Sequence, residues 1–159
     1  MVILQSERVG CESNNEYDTS ESQICMLFYS FEDQLLSRNW EIAIKLIQSH
    51  HEIVRSANGF NELPLHTAIW INAPEEIILL IMSKNEDAIF HANYKKQFPI
   101  HLAVKCSSSL KVIERLLRKQ PHALEEKDDM NITPRDYGIS NGKNLSDLLR
   151  LPVSFWVAL

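Results

Sequence analysis

Leu63-Pro64-Leu65-His66-Thr67-Ala68, Phe98-Pro99-Ile100-His101-Leu102-Ala103 and Thr133-Pro134-Arg135-Asp136-Tyr137-Gly138 are three versions of one sentence, with their prolines 35 residues apart. A fixed period of this length marks an architecture of stacked repeats. Proline suits the first turn of a helix, where its missing N–H has no helical partner. Each segment therefore predicts a helix start.

The period continues downstream. A second apolar helical pattern, Ile77, Ile78, Ile81 and Met82, recurs 35 residues later as Val112, Ile113, Leu116 and Leu117. Upstream it aligns with Ile42, Ala43, Leu46 and Ile47. Ala88-Ile89 matches Ala123-Leu124 and Ile53-Val54. A first unit without the proline thus precedes the three evident ones. Such helix pairs cannot bury their apolar faces alone and must stack on neighbours.

These residues resemble the ankyrin repeat, in which Thr-Pro-Leu-His-x-Ala opens the first of two antiparallel helices. The resemblance spans about 28–151. Pro64, Leu65, His66 and Ala68 match it, as do Pro99, Ile100, His101 and Ala103, and Thr133 with Pro134. Leu63 and Phe98 replace the threonine, Arg135-Asp136 replaces Leu-His in the last unit, and the usual interhelical glycine is missing from Asn72-Ala73-Pro74 and Ser107-Ser108-Ser109. The resemblance implies an all-α fold, an ankyrin-repeat solenoid of stacked helix-turn-helix pairs joined by hairpin loops. The units are about 28–57, 58–92, 93–127 and 128–151, within a domain of residues 25–159. Pro64, Pro99, Pro134, His66 and His101 are then structural residues.

Turn formers Asn58-Gly59, Asn93 and Asp128-Asp129 mark the hairpin tips. Asn141-Gly142 is expected to turn between the last two helices, with Leu145, Leu148 and Leu149 completing the core. A first helix is expected from Met26 to about Ser37 and a second from Trp40 to Ser49, broken at Arg38-Asn39. The apolar end, Pro152-Val153-Ser154-Phe155-Trp156-Val157-Ala158-Leu159, reads as a cap over the last unit, as a docking strand, or as a passage into further repeats.

The chain of 159 residues has a net charge of −5. Residues 1–24 hold Glu7, Glu12, Glu16, Asp18 and Glu21 against Arg8 alone. This acidic segment has too few large apolar groups to offset its chain entropy and is expected to be disordered. The remaining charge is nearly balanced, which argues against a nucleic-acid partner. Cys11, Cys25 and Cys106 form neither a metal-ligand pattern nor a disulfide framework. Val2-Ile3-Leu4 is too short for a signal-peptide core, and no apolar run approaches the ~20 residues that span a bilayer. The expectation is a monomer without a membrane partner, in the cytoplasm, with the nucleus as the alternative.

Catalytic chemistry finds no foothold. Nucleophile motifs, Gly-rich phosphate loops and H-E-x-x-H are absent. His50-His51 and His91 stand at unit junctions without the spaced ligands of a metal site. The expected catalytic residues, metal ligands and cofactors are none. Lys111, Arg115, Arg118 and Lys119 form a basic stripe opposite the apolar face of their helix. They read as a solvated outer face, or as a contact for an acidic partner such as the chain's own N-terminal segment.

By the same resemblance, targets bind the hairpin tips and the exposed side of the first helix, on the concave surface. The corresponding positions are Phe60, Glu62, Trp70 and Ile71, then Tyr94, Lys95, Gln97, Lys105 and Cys106, then Met130, Ile132, Ser140 and Asn141. Phe60, Trp70, Ile71 and Tyr94 are expected to form one exposed apolar patch, unless Trp70 and Ile71 turn inward. The function expected is a non-catalytic module that binds another protein. A regulatory subunit or enzyme inhibitor, with the acidic segment as pseudo-ligand, is the alternative, and an enzyme with an unrecognised site the third.

Overall fold

A computed structural model describes residues 19–141 and 149–158 of the chain. Among the described residues every regular element is helical. Helix α1 (Thr19–Leu36) is followed by α2 (Trp40–Ser49), α3 (Pro64–Trp70), α4 (Glu75–Lys84), α5 (Pro99–Lys105), α6 (Leu110–Lys119), α7 (Pro134–Asn141) and α8 (Val153–Val157). Short 3₁₀ turns at His51–Arg55, Glu86–Phe90 and Pro121–Leu124 end the first three pairs. No helix among the described residues is long and apolar enough to cross a membrane.

The 35-residue period becomes geometry. Helices α3 and α5 have seven residues each and begin on Pro64 and Pro99. Their second helices, α4 and α6, have ten each, as does α2. First helices pack side by side in the order α1, α3, α5, α7, and second helices in the order α2, α4, α6. The core lies between these rows. It takes Ile77, Ile78, Ile81 and Met82 from α4, and Val112, Ile113, Leu116 and Leu117 from α6. Ile42 departs from this pattern. It is 42% exposed, whereas its counterparts Ile77 and Val112 are at 2% and 0%. Helices α4 and α6 each pack against the second helix before them, and α2 has no described pair before it.

Helix α1 starts seven residues ahead of Met26, so residues 19–24 are helical rather than disordered. Phe28, Phe31 and Leu35 anchor its inner side. Once an anchored turn exists, adding residues is cheap. The rest of the expected disordered segment, residues 1–18, lies outside the described residues, as do Gly142, Leu145 and Leu148.

The backbone turns without glycine. Asn61, Lys96 and Asn131 hold φ of 55°, 57° and 63° at the hairpin tips, and Asn72 and Ser107 hold 54° and 55° between paired helices. These are left-handed positions, where asparagine is tolerated and other L-residues are strained. At the far end α8 packs on α6 and on the 3₁₀ turn Pro121–Leu124, burying Trp156. Arg135 explains why the last unit departs from Pro-Leu-His. Its guanidinium donates to Glu125 Oε1 at 2.8 Å, to the Leu151 carbonyl at 3.0 Å and to the Leu149 carbonyl. An apolar residue here would leave those chain-end carbonyls without this donor. Gly138 lies against the Leu149 side chain, which a Cβ at this position would push aside.

Candidate interaction face

Each tip is shaped by one side chain. Asn58 Oδ1 accepts the N–H groups of Phe60 and Glu62 at 2.9 and 3.0 Å. Asn93 does the same for Lys95 and Gln97, both at 3.0 Å, and Asp128 for Met130 and Ile132, both at 3.0 Å. Short Asx side chains can replace a backbone acceptor in this way, which is why 58, 93 and 128 are Asn, Asn and Asp.

The tips are then bonded to one another. Tyr94 N–H donates to the Phe60 carbonyl at 3.1 Å and Asp129 N–H to the Lys95 carbonyl at 2.9 Å. Asn93 Nδ2 donates to Glu62 Oε1 at 3.2 Å, and Gln97 Nε2 to Asp128 Oδ2 at 2.9 Å. Tyr137 Oη also donates to Asp128 Oδ2, at 2.7 Å. Burial opposes the Asp128 charge, but the hydrogen bonds from Gln97, Tyr137 and two backbone N–H groups hold its carboxyl below the usual range. Burial and that same carboxylate push the Tyr137 phenol up to about 12.

His66 and His101 tie tips to helix starts. Leu63 N–H donates to His66 Nδ1 at 3.2 Å, and Phe98 N–H to His101 Nδ1 at 3.1 Å. With Nδ1 accepting, the proton sits on Nε2, which faces the His91 carbonyl at 3.1 Å in one unit and the Glu126 carbonyl at 3.0 Å in the next. Only the neutral ring satisfies both bonds. Burial, with repulsion from His91, lowers the His66 pKa to about 4. Burial lowers that of His101 as well. In the last unit Asp136 fills the same role, accepting Thr133 N–H at 2.9 Å and Thr133 Oγ1–H at 2.7 Å.

Above this framework lie the expected contact residues. Phe60, Trp70, Tyr94, Lys95, Lys105 and Met130 are exposed. Glu62, Ile71, Cys106 and Ile132 are half-buried, and Ile71 packs against the core. Gln97 is not a contact residue: it is 3% exposed and spent on Asp128 and Tyr137. The side chains of Ser140 and Asn141 fall outside the described set. The single apolar patch divides into two clusters at opposite ends of α3. Phe60 and Tyr94 meet with ring centroids 5.4 Å apart at the tips. Trp70, the last residue of α3, lies instead beside the Lys105 ammonium, 5.8 Å from its ring centroid, with Tyr137 at 5.3 Å.

Tyr137 and the pair Glu32–Thr67 were missed. Glu32, Thr67, Leu102 and Tyr137 are each one period apart, so the repeat itself carried the signal. Thr67 Oγ1 donates to Glu32 Oε2 at 3.1 Å. Burial raises the Glu32 carboxyl to about 7, against the Thr67 bond and with help from Glu62 and Asp33.

The basic stripe is occupied from within. Lys111 pairs with Glu75 at 3.0 Å, while Lys119 and Arg115 reach Glu86 at 2.9 and 4.0 Å. These acids belong to the preceding pair, so the stripe links two pairs. No cluster of three metal-ligating side chains occurs among the described residues. The sequence matches no protein-family model and no curated protein.

Proposed function

We propose that the chain is an ankyrin-type repeat stack that binds another protein through its hairpin tips and the exposed side of its first helices, without catalysing a reaction. The observation that carries this reading is the row of exposed side chains Phe60, Tyr94, Met130 and Trp70. The first three sit on tips whose backbone is already fixed by hydrogen bonds from tip to tip, and Trp70 ends α3. Large exposed side chains on a preorganised backbone favour binding, because little ordering entropy remains to be lost. Aromatic residues are the usual anchors of such surfaces. The match of Pro64, Leu65, His66 and Ala68, and of Pro99, Ile100, His101 and Ala103, to the ankyrin pattern supports the family reading. So do the side-by-side rows of first and second helices.

The test is photocrosslinking from position 94 in the native cell, with a photoreactive residue in place of Tyr94. One dominant crosslinked protein, lost when Trp70→Ala or Phe60→Ala is added, supports the reading. Capture that neither substitution changes refutes it.

A further inference from the structure

The two ends of the stack are finished differently. At the far end the chain's own α8 packs on α6 and on the turn Pro121–Leu124, burying Trp156. At the near end α1 and α2 have no described pair before them. Ile42 and Leu46 stand one turn apart on α2 and so share a face. Their counterparts one and two periods later, Ile77 with Ile81 and Val112 with Leu116, are buried on helices that pack against the second helix before them. Ile42 is exposed and Leu46 half-buried. The first helices repeat the contrast. Pro64 and Pro99 are buried, on helices that meet the preceding 3₁₀ turn, whereas Tyr29, one period before Pro64, is 59% exposed. The near end thus presents Tyr29, Ile42 and Leu46, where a terminal unit of a repeat stack normally turns a polar side to water.

The chain carries a candidate cover. Among residues 1–18, which lie outside the described residues, the single apolar run is Val2-Ile3-Leu4. Residues 5–18 separate it from Thr19 and can span at most roughly 45 Å. Tyr29 lies only roughly 15 Å along α1 from Thr19. A segment on a connection of this length meets the end face at an effective concentration of roughly millimolar. A second copy at micromolar concentration is about a thousandfold more dilute. We propose that Val2-Ile3-Leu4 covers the near end of the stack, packing on Ile42 and Leu46 of α2 and on Tyr29 of α1, as α8 covers the far end. Burial of apolar surface on both partners drives the contact. It leaves the hairpin tips untouched, so it stands apart from the partner-binding reading above.

The experiment puts a photoreactive residue in place of Ile3 in the full chain and irradiates an equal mixture of isotope-labelled and unlabelled chains. Peptide mapping should find attachment to α1 and α2 around Tyr29, Ile42 and Leu46, within one chain, at a yield unchanged by about tenfold dilution. Ile42→Asp should lower that yield about tenfold. A second measurement uses the chain without the photoreactive residue. Val2→Ser, Ile3→Ser and Leu4→Ser together should raise amide exchange in α2 about twofold or more and leave α6 unchanged. These three positions lie outside the helices, so the test stays readable even where Ile42→Asp lowers the melting temperature. Attachment between labelled and unlabelled chains assigns the end face to a second copy and overturns the inference. Attachment to the hairpin tips or to α5–α7, attachment spread without preference, no attachment, or α2 exchange that ignores the serine changes overturns it as well.

Discussion

Helices α3 and α5 start under a buried neutral histidine, and α7 under a solvent-facing aspartate, yet all three side chains accept the same backbone N–H. The difference lies in what else each can do. A histidine has a second nitrogen, and His66 and His101 use it on the backbone at the end of their own unit. Asp136 places two bonds on Thr133, within the first turn of its own helix. One arrangement couples two segments 25 residues apart; the other caps a helix locally. An internal unit gains from the first, and the last unit spends Arg135 on the chain end instead.

The largest expected effect tests this division. His66→Ala or His101→Ala should each cost about 1–3 kcal/mol, because each leaves a buried N–H and a carbonyl without a partner. Asp136→Ala should cost about 1 kcal/mol, the value of a helix cap. Urea melts of the three variants decide it, and equal losses would erase the distinction.

The period and the prolines made the helix pairs and their core legible, because apolar spacing and proline placement follow local rules. Side chains whose fate depends on the neighbouring unit were not. Gln97 looks like a surface amide until Asp128 and Tyr137 of the next unit are placed on it. Ile42 fits the core pattern yet is 42% exposed. The beginning of α1 is polar, and propagation from an anchored turn gives no apolar signal. The exposure of Phe60, Trp70 and Tyr94 was legible, but their division between the two ends of α3 was not.

Acid sharpens the comparison. The folded His66 takes its proton only near pH 4, against about 6.5 when unfolded. The unfolded chain therefore binds the extra proton between these values, and the histidine contribution to stability falls as pH drops through that window. His101 acts in the same direction. The Thr133 bonds lower the Asp136 pKa, so its contribution lasts until pH falls through the carboxylate range. Hydrogen exchange at pH 5 and pH 7, corrected for intrinsic rates, should show protection reduced at the Leu63 and Phe98 amides, where opening frees a histidine that then takes a proton, and kept at Thr133. Parallel loss at all three would mean that the ring's second bond carries no weight.

Smaller effects follow at the turns. Ser107→Gly should stabilise by roughly 0.5–1 kcal/mol, since serine pays a steric cost at φ 55° that glycine avoids. Asn72→Gly should gain less, because asparagine tolerates that region. The two melting temperatures compare them directly. Smallest of all, Trp70→Ala should leave folding stability within about 0.5 kcal/mol, since the ring is 59% exposed. A large loss would make Trp70 part of the framework rather than of the face above it.

Folding of this chain is also an acid–base reaction in which protons move in opposite directions at two places. Between about pH 4.5 and 7 the folded state keeps a proton on Glu32 that the unfolded state releases, so its contribution falls as pH rises. His66 refuses one that the unfolded state accepts between about 4 and 6.5. Where the windows overlap, uptake at Glu32 offsets release at His66, and His101 adds to the release. Glu32→Gln removes the uptake and leaves the histidine release uncovered, so heat measured in buffers of different ionisation enthalpy should diverge more in that variant than in the parent chain. The hydroxyl of Thr67, a single hydrogen bond between two first helices, thereby sits inside the proton balance of the whole molecule.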